Sequence, residues 1–389
     1  MDQRDEYENA SCPYFSGGLC RSCSLLSLPS GSRLDAKVSK TLSTLRQNGV
    51  TPDDVESIRF PIQPWGSRRK VKMNVSGTVA EPIIGIIRPD RTAVDLVECP
   101  LTPVPTQELL KALRSVIQAA DLSPYDIDAR SGELKNIIIL SNHDSSQAIL
   151  RFVLRSTESV PRIRKQVAEI RRAFPWVTVV TCNIQPTPAA ILEGAEEIIL
   201  TDTTRIEERY GTISLLFSPQ SFMQVTHEIA EALYSRAARY VAERSFSSAL
   251  DLFCGVGGFS LALAPHVSKI TGVELSPTAI ESATLSASRL GYGNASFVAD
   301  DAERFLERAP QPACDLVIVN PPRRGLTPPM VSKLREFSPS TIIYSSCNPE
   351  TFARDCAALE DSYTLSRLGI FDMFPMTEHC EVLGFLERR

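Results

Sequence analysis

The sequence predicts an α/β protein in two parts, with an α+β first half and a second half built as an open sheet of strand–helix units. Three observations carry this. From Ser248 onward, short apolar, β-branched runs alternate with helical patterns (Ser248–Phe253, Ile270–Val273, Ala295–Val298, Asp315–Asn320, Ile342–Cys347), as in a mostly parallel sheet. The first of these runs passes straight into Cys254-Gly255-Val256-Gly257-Gly258, a sharp strand-to-helix turn. Before about Tyr210 the order differs, with amphipathic helices and strands in no regular alternation, and 389 residues are too many for one ordinary core. The expected division is 1–210 and 211–389.

Hydrophobic residues make up 43% and charged residues 22%, the balance of a soluble globular protein. No apolar run approaches the ~20 residues of a membrane span. The opening MDQRDEYENA is acidic and lacks a signal-peptide core, so a cytoplasmic protein with a frayed N-terminus is expected. Its ten Cys should then be reduced thiols or metal ligands rather than disulfides. The net charge of -5 argues against a nucleic-acid partner only weakly, because a whole-chain sum can hide a basic face.

In chain order, Cys12-x7-Cys20-x2-Cys23 comes first, around Gly17 and Gly18, which let a loop fold its thiolates inward. Cys99, in the turn-rich Glu98-Cys99-Pro100, is the candidate fourth ligand. Four thiolates suit an iron–sulfur cluster or tetrahedral zinc, and spacing alone does not choose; unligated thiols are the plainer alternative. Ser32 to Asn48 reads as a helix with Leu34, Val38, Leu42 and Leu45 on one face and Gly49 at its cap. The stretch Arg59 to Gly77 carries Arg68, Arg69, Lys70 and Lys72 without an acid. Lys70, Lys72 and Asn74 alternate with Val71, Met73 and Val75, so one face of a strand is basic. Such a face can track phosphates or protect a solvated edge. Arg88 and Arg91 add two cations nearby, and Thr106 to Ala120 reads as a second amphipathic helix. Strands follow at Ile137–Leu140 and Ile149–Leu154, then a helix over Pro161–Phe174 and a strand over Val177–Ile184. Arg151, Arg155, Arg162, Arg164, Lys165, Arg171 and Arg172 face only Glu158 and Glu169 there. This second basic region fits RNA contact or a solvated helix face.

In the second half, Ser218-Pro-Gln-Ser-Phe-Met-Gln224 leads into a helix over Thr226–Glu243. Gly255 and Gly257 allow close approach by a ligand, and Glu274, about 20 residues beyond the turn, closes the second strand where an acid can take both hydroxyls of a ribose. That combination points to a nucleoside cofactor, with a helix-capping Glu as the plainer reading. Asp300, after the third strand, is counted with the cofactor contacts. Asn320-Pro321-Pro322 makes a rigid turn at the sheet edge, and Arg323 and Arg324 stand where a polyanion could enter. Ile342 to Ser346 runs into Cys347-Asn348-Pro349. Ligands collect at the carboxyl ends of strands in such sheets, so Cys347 reads as a nucleophile, against the alternative of a buried structural thiol. Two last runs, Tyr363–Phe374 and Glu381–Leu386, look like a closing hairpin.

Asp251-Leu-Phe-Cys-Gly-Val-Gly-Gly, Val319-Asn-Pro-Pro-Arg-Arg-Gly, Ser345-Ser-Cys-Asn-Pro and Phe374-Pro…His379-Cys-Glu381 together resemble the RNA uracil-C5 methyltransferases, over nearly the whole chain after the first ten residues. With the cysteine-rich opening and no β-barrel ahead of it, the chain looks like the branch that methylates a uridine of 23S ribosomal RNA. The resemblance implies a class I S-adenosylmethionine-dependent, Rossmann-like catalytic domain behind an RNA-binding α+β domain. It implies Cys347 as nucleophile, Glu381 as the base that removes the C5 proton, and Gln224, Phe253, Glu274 and Asn320 as S-adenosylmethionine contacts. It also implies a [4Fe–4S] cluster on Cys12, Cys20, Cys23 and Cys99. Met223 and Cys380 depart from common family residues without touching a chemical role.

The chemistry can be argued independently. A thiolate adding to uracil C6 makes C5 enolate-like, so C5 can attack a sulfonium methyl; a base then removes the C5 proton and the thiol leaves. The uridine must be unstacked to expose C6, which favours flipped or single-stranded RNA and makes the basic regions plausible grips. Cys254 reads as a small wall of the cofactor turn, Cys182, Cys314 and Cys356 as core or surface thiols, and His379 as packing or positioning. A monomer is expected. The rivals are the same reaction on transfer RNA or a second 23S site, a non-catalytic RNA assembly factor, and an amino-methyltransferase suggested by Asn-Pro-Pro alone.

Overall fold

The computed structural model describes residues 12–58, 64–188, 192–308 and 314–389. The expectations for the N-terminal tail and for Arg59 to Pro61 lie outside these residues. Two large sheets organise the rest. The second half forms most of an eight-stranded sheet whose centre is Thr341–Ser346, Leu316–Val319, Ser248–Leu252, Lys269–Glu274 and Ala295–Ala299, all parallel. Helices cover both faces, which is why a strand such as Leu316–Val319 is buried throughout and reads as an unbroken apolar run. Glu381–Arg388 enters antiparallel beside Thr341–Ser346, and Tyr363–Phe371 pairs on its other side.

The outermost strand comes from the first half: Asp54–Ile58 pairs in parallel with Tyr363–Phe371. The helix Ser30–Gln47 packs Leu45, with Val38 and Leu42 beside it, into the same core as Phe352, Ala353 and Cys356 of the helix Pro349–Leu359. Residues 30–58 therefore sit on the sheet of the second half, across the expected boundary after residue 210.

The remaining first-half strands form a seven-stranded sheet ordered Ala93–Asp95, Pro82–Ile87, Lys70–Gly77, Leu134–Ser141, Ala148–Leu154, Val177–Ile184 and Glu196–Ile199. Val71, Met73, Ile137, Phe152 and Cys182 pack with the helices Val104–Ala119 and Val160–Ala173 on one face. Strand alternation sends Lys70, Lys72 and Arg151 to the other face, where Lys70 Nζ donates to the Ser221 carbonyl at 3.1 Å.

Several of the expected basic side chains are paired with acids of the same chain. Arg151 is fully buried and ion-paired to both Glu193 and Glu197 at 2.6 Å. Lys72 pairs with Glu193, Arg155 with Glu133, Arg162 with Glu158 and Arg172 with Glu169. Arg151 thus offers nothing to RNA, a correction whose cause is Glu193 and Glu197 folding back from more than forty positions away. Arg164, Lys165 and Arg171 stay exposed, on the helix that covers the face turned away from Ser221.

Candidate active site

A cavity of about 490 Å³ opens at the carboxyl ends of the parallel strands. One side is the glycine turn. Phe253, Gly255 and Gly257 all have positive φ (64°, 55° and 84°), which reverses the chain within five residues. Gly257 does not line the cavity. Its Cβ position faces Phe297, whose ring an added Cβ would meet at 3.0 Å, so a side chain there has no room. The Gly255 N–H donates to Glu274 Oε2 at 3.3 Å and the Ser276 N–H to Oε1 at 3.0 Å, which aims this carboxylate across the turn. Beneath it, buried Asp251 accepts from the Ser260 N–H (3.0 Å) and Oγ (2.6 Å), tying the helix Gly258–Leu263 to the strand. Burial pushes the Asp251 carboxyl up to about 7. Gln224, Phe253, Gly255, Glu274, Asp300 and Asn320 all line the cavity, and Asp300 is ion-paired to Arg308.

The opposite wall holds Cys347 and Glu381. They are brought together by strand register: Ser346 pairs with Val382 in the antiparallel ladder, so the next positions, Cys347 and Glu381, stand opposite each other at its mouth. Glu381 is 3% exposed, and Ser345 Oγ donates to its Oε1 at 2.6 Å. Burial pushes its carboxyl up to about 7, with the Ser345 bond pulling the other way. Burial also raises the Cys347 thiol, and the Glu381 charge raises it further; the nearby Arg323 guanidinium lowers it.

Arg323 is itself held from the helix that follows Cys347. Asn348 Nδ2 and Thr351 Oγ1 donate to its carbonyl (3.1 and 3.3 Å), and Arg354 donates to the carbonyls of Arg324 and Leu326 (3.0 and 3.1 Å). Buried Asp355 accepts from the Leu326 N–H (2.8 Å) and the Tyr344 hydroxyl (2.7 Å). The sequence reading assigned nothing to Ser345, Arg354 or Asp355. For Ser345 a signal existed, since it shares a strand face with Cys347. Phe222 and Leu275, both on the cavity, are unusually exposed at 67% and 70%.

Cys12, Cys20, Cys23 and Cys99 line one small cavity of about 70 Å³, with Tyr14, Trp65 and Arg68. Burial pushes the Cys23 thiol up to about 11, and the other three thiols add to this. Among the described residues no group of three or more His, Cys, Asp or Glu side chains is arranged to hold a metal ion, so the expected ligand set goes no further than a shared cavity. Cys254 lines the large cavity, Cys182 and Cys356 are buried in the cores, and Cys314 is half-buried. His379 is exposed, edge-on to Phe374 at 6.1 Å. Among the described residues no helix is long and apolar enough to cross a membrane.

The family model described as tRNA (Uracil-5-)-methyltransferase matches residues 196–389. The 23S rRNA (uracil(747)-C(5))-methyltransferase RlmC of Shewanella amazonensis is 42% identical over 377 residues, covering 97% of each chain. The protein of the same name in Shewanella oneidensis is 40% identical over 378 residues, covering 96% of this chain and 97% of its own. Among solved structures, the Pyrococcus abyssi tRNA (uracil-54, C5)-methyltransferase, in complex with S-adenosyl-L-homocysteine, superimposes with a TM-score of 0.78 at 25% identity, over 97% of this chain and 87% of that one. Sequence kinship along nearly the whole chain and the α/β methyltransferase fold agree: the protein belongs to the RNA uracil-C5 methyltransferase family.

Proposed function

We propose that this enzyme methylates C5 of a uridine in 23S ribosomal RNA, with Cys347 as nucleophile, Glu381 as base and S-adenosylmethionine as methyl donor. The observation that carries the mechanism is the register that sets Cys347 opposite buried Glu381 on a cavity reached by the glycine turn. The ribosomal substrate is carried by the full-length kinship to relatives named for it. Glu274 would take the ribose of the donor, and Gln224, Phe253, Gly255, Asp300 and Asn320 would line its site. Bound there, the donor would supply a sulfonium methyl. The Cys347 sulfur attacks C6, and Arg323 favours its thiolate form. After C5 has taken the methyl, Glu381 removes the C5 proton, the ring double bond re-forms and the C6–S bond breaks. Depth in the cavity means the uridine must leave its stack to reach the thiol.

Cys12, Cys20, Cys23 and Cys99 would hold the [4Fe–4S] cluster. What supports this is that the four thiols line one small cavity, as a cluster held by four thiolates requires. Its role is structural, since the reaction transfers no electron.

The test uses ribosomal RNA from cells fed 5-fluorouracil. A C5 fluorine cannot leave as a proton does, so a Cys347–uracil adduct should persist as a denaturation-stable band. The band should require S-adenosylmethionine and vanish in Cys347→Ala, and sequencing the attached RNA names the site. A band with transfer RNA alone would move the substrate. No band from protein that binds S-adenosylmethionine would overturn the covalent mechanism.

A further inference from the structure

The loop between the last two strands, residues 372–380, runs directly into Glu381. It is held along its length by the N-terminal segment. Asp372 is ion-paired to Lys37 at 2.5 Å, with both side chains buried, and Lys37 Nζ also donates to the Phe374 carbonyl at 2.8 Å. Thr41 Oγ1 lies 3.6 Å from Cys380 Sγ. Met376, 2% exposed, packs into one small apolar cluster with Cys12, Cys23, Leu26 and Leu101. Its carbonyl accepts from the Leu25 N–H at 3.1 Å, and its sulfur lies 3.3 Å from Arg33 Nη1. Buried Arg33 also gathers the carbonyls of Leu25, Leu26 and Leu28, so one guanidinium ties the cysteine loop to the base loop. None of these contacts is required by the cysteine loop alone. A loop that only needed to close over its own thiols would not have to share its core with residue 376.

We propose that the cysteine loop and the helix Ser30–Gln47 form a latch on residues 372–380, and that Arg33, Lys37 and Met376 are positioning residues for Glu381. The proposal rests on the base role given to Glu381 above. It separates two steps of one reaction. Cys347 is fixed by its own strand and by the helix Pro349–Leu359, whose packing on Val38, Leu42 and Leu45 does not involve Arg33 or Met376, so thiol attack and methyl transfer survive a latch loosened at those two residues. Proton removal does not. Glu381 must accept the C5 proton while the C5–H electron pair forms the C5=C6 bond and the C6–S pair returns to Cys347. A base displaced by about 1 Å loses ~100-fold in rate. The signature of a loose latch is therefore a methylated adduct that forms and fails to release.

The test compares the wild type, Met376→Ala, Met376→Leu, Arg33→Gln and Glu381→Gln on unsubstituted ribosomal RNA with methyl-labelled S-adenosylmethionine. Met376→Ala and Arg33→Gln should lower turnover ~10- to 100-fold and raise the fraction of enzyme found as labelled, denaturation-stable adduct. Met376→Leu, which refills the cluster, should restore both. Hydrogen exchange should quicken at residues 372–380 in Met376→Ala and stay unchanged at 341–347; Cys23→Ala, on the other side of the same cluster, should quicken the same loop. Lost turnover without more adduct, in protein that still binds S-adenosylmethionine, would overturn the latch. Unchanged turnover and exchange in Met376→Ala would do so too. If Glu381→Gln itself releases product normally, the base assignment falls instead.

Discussion

Glu381→Gln should stabilise the folded protein in a pH-dependent way. Burial carries the Glu381 carboxyl from 4.5 to about 7, so the native state holds a proton that the unfolded chain gives up. The folded state is therefore least burdened below pH 4.5, and the burden grows until pH passes 7. At ~1.4 kcal/mol per pH unit the full cost of ionising the buried group is ~3 kcal/mol. About 2.5 kcal/mol of that develops between pH 5 and 8.5. Glutamine keeps the acceptor for Ser345 Oγ and carries no charge, so it escapes the cost. Urea unfolding of the wild type and of Glu381→Gln, at matched pH from 5 to 8.5, reads the difference; effects of other groups, Asp251 included, cancel between the two proteins. The variant should gain on the wild type as pH rises. A difference flat with pH would mean that Glu381 is solvated or paired in solution, and would remove the physical basis for a base tuned near neutrality.

Three further outcomes follow from the same geometry. Arg354→Ala frees the carbonyls of Arg324 and Leu326, so Arg323 should drift from Cys347; iodoacetamide labelling of Cys347, followed by peptide mass analysis, should slow and shift to higher pH. Gly325→Ala places a Cβ 2.5 Å from Asp355 Oδ2 at a backbone φ of 74°, which should cost on the order of 1–3 kcal/mol by urea unfolding and more in turnover than in stability. Arg151→Met leaves Glu193 and Glu197 without their main cation and should destabilise by ~3–5 kcal/mol, while RNA affinity of the protein that still folds stays unchanged.

The candidate site of the second half is legible in sequence because each piece is local. The glycine turn, the acid that ends the next strand and the Cys that ends the fifth run all sit at carboxyl ends of strands, and one fold rule collects such ends on one crevice. What escapes is what depends on pairing between distant segments. Asp54-Val-Glu-Ser-Ile58 is polar and exposed, and no periodicity marks it as a strand; it is one because the edge of Tyr363–Phe371 offers it a ladder. Arg151 reads as a free cation because its partners arrive from beyond the next strand, Glu193 from a loop and Glu197 from the strand Glu196–Ile199. Gly257 reads as a ligand contact because spacing cannot tell a glycine that makes room for a cofactor from one that makes room for Phe297.

The electrostatics of the proposed reaction centre favour an order of events. Cys347 and Glu381 share one wall of the cavity, and a charge on Glu381 opposes a charge on Cys347. A protonated Glu381 lets Arg323 favour the thiolate, and attack on C6 then turns that charge into a neutral thioether on the enzyme side. With the thiolate gone, ionising Glu381 becomes easier, at the stage when a base is required. Restoring the thiolate on product release raises the cost of that ionisation again and favours keeping the proton just taken from C5. The raised carboxyl is therefore more than a by-product of burial. In the proposed mechanism it would keep the base neutral until the nucleophile's charge has been used.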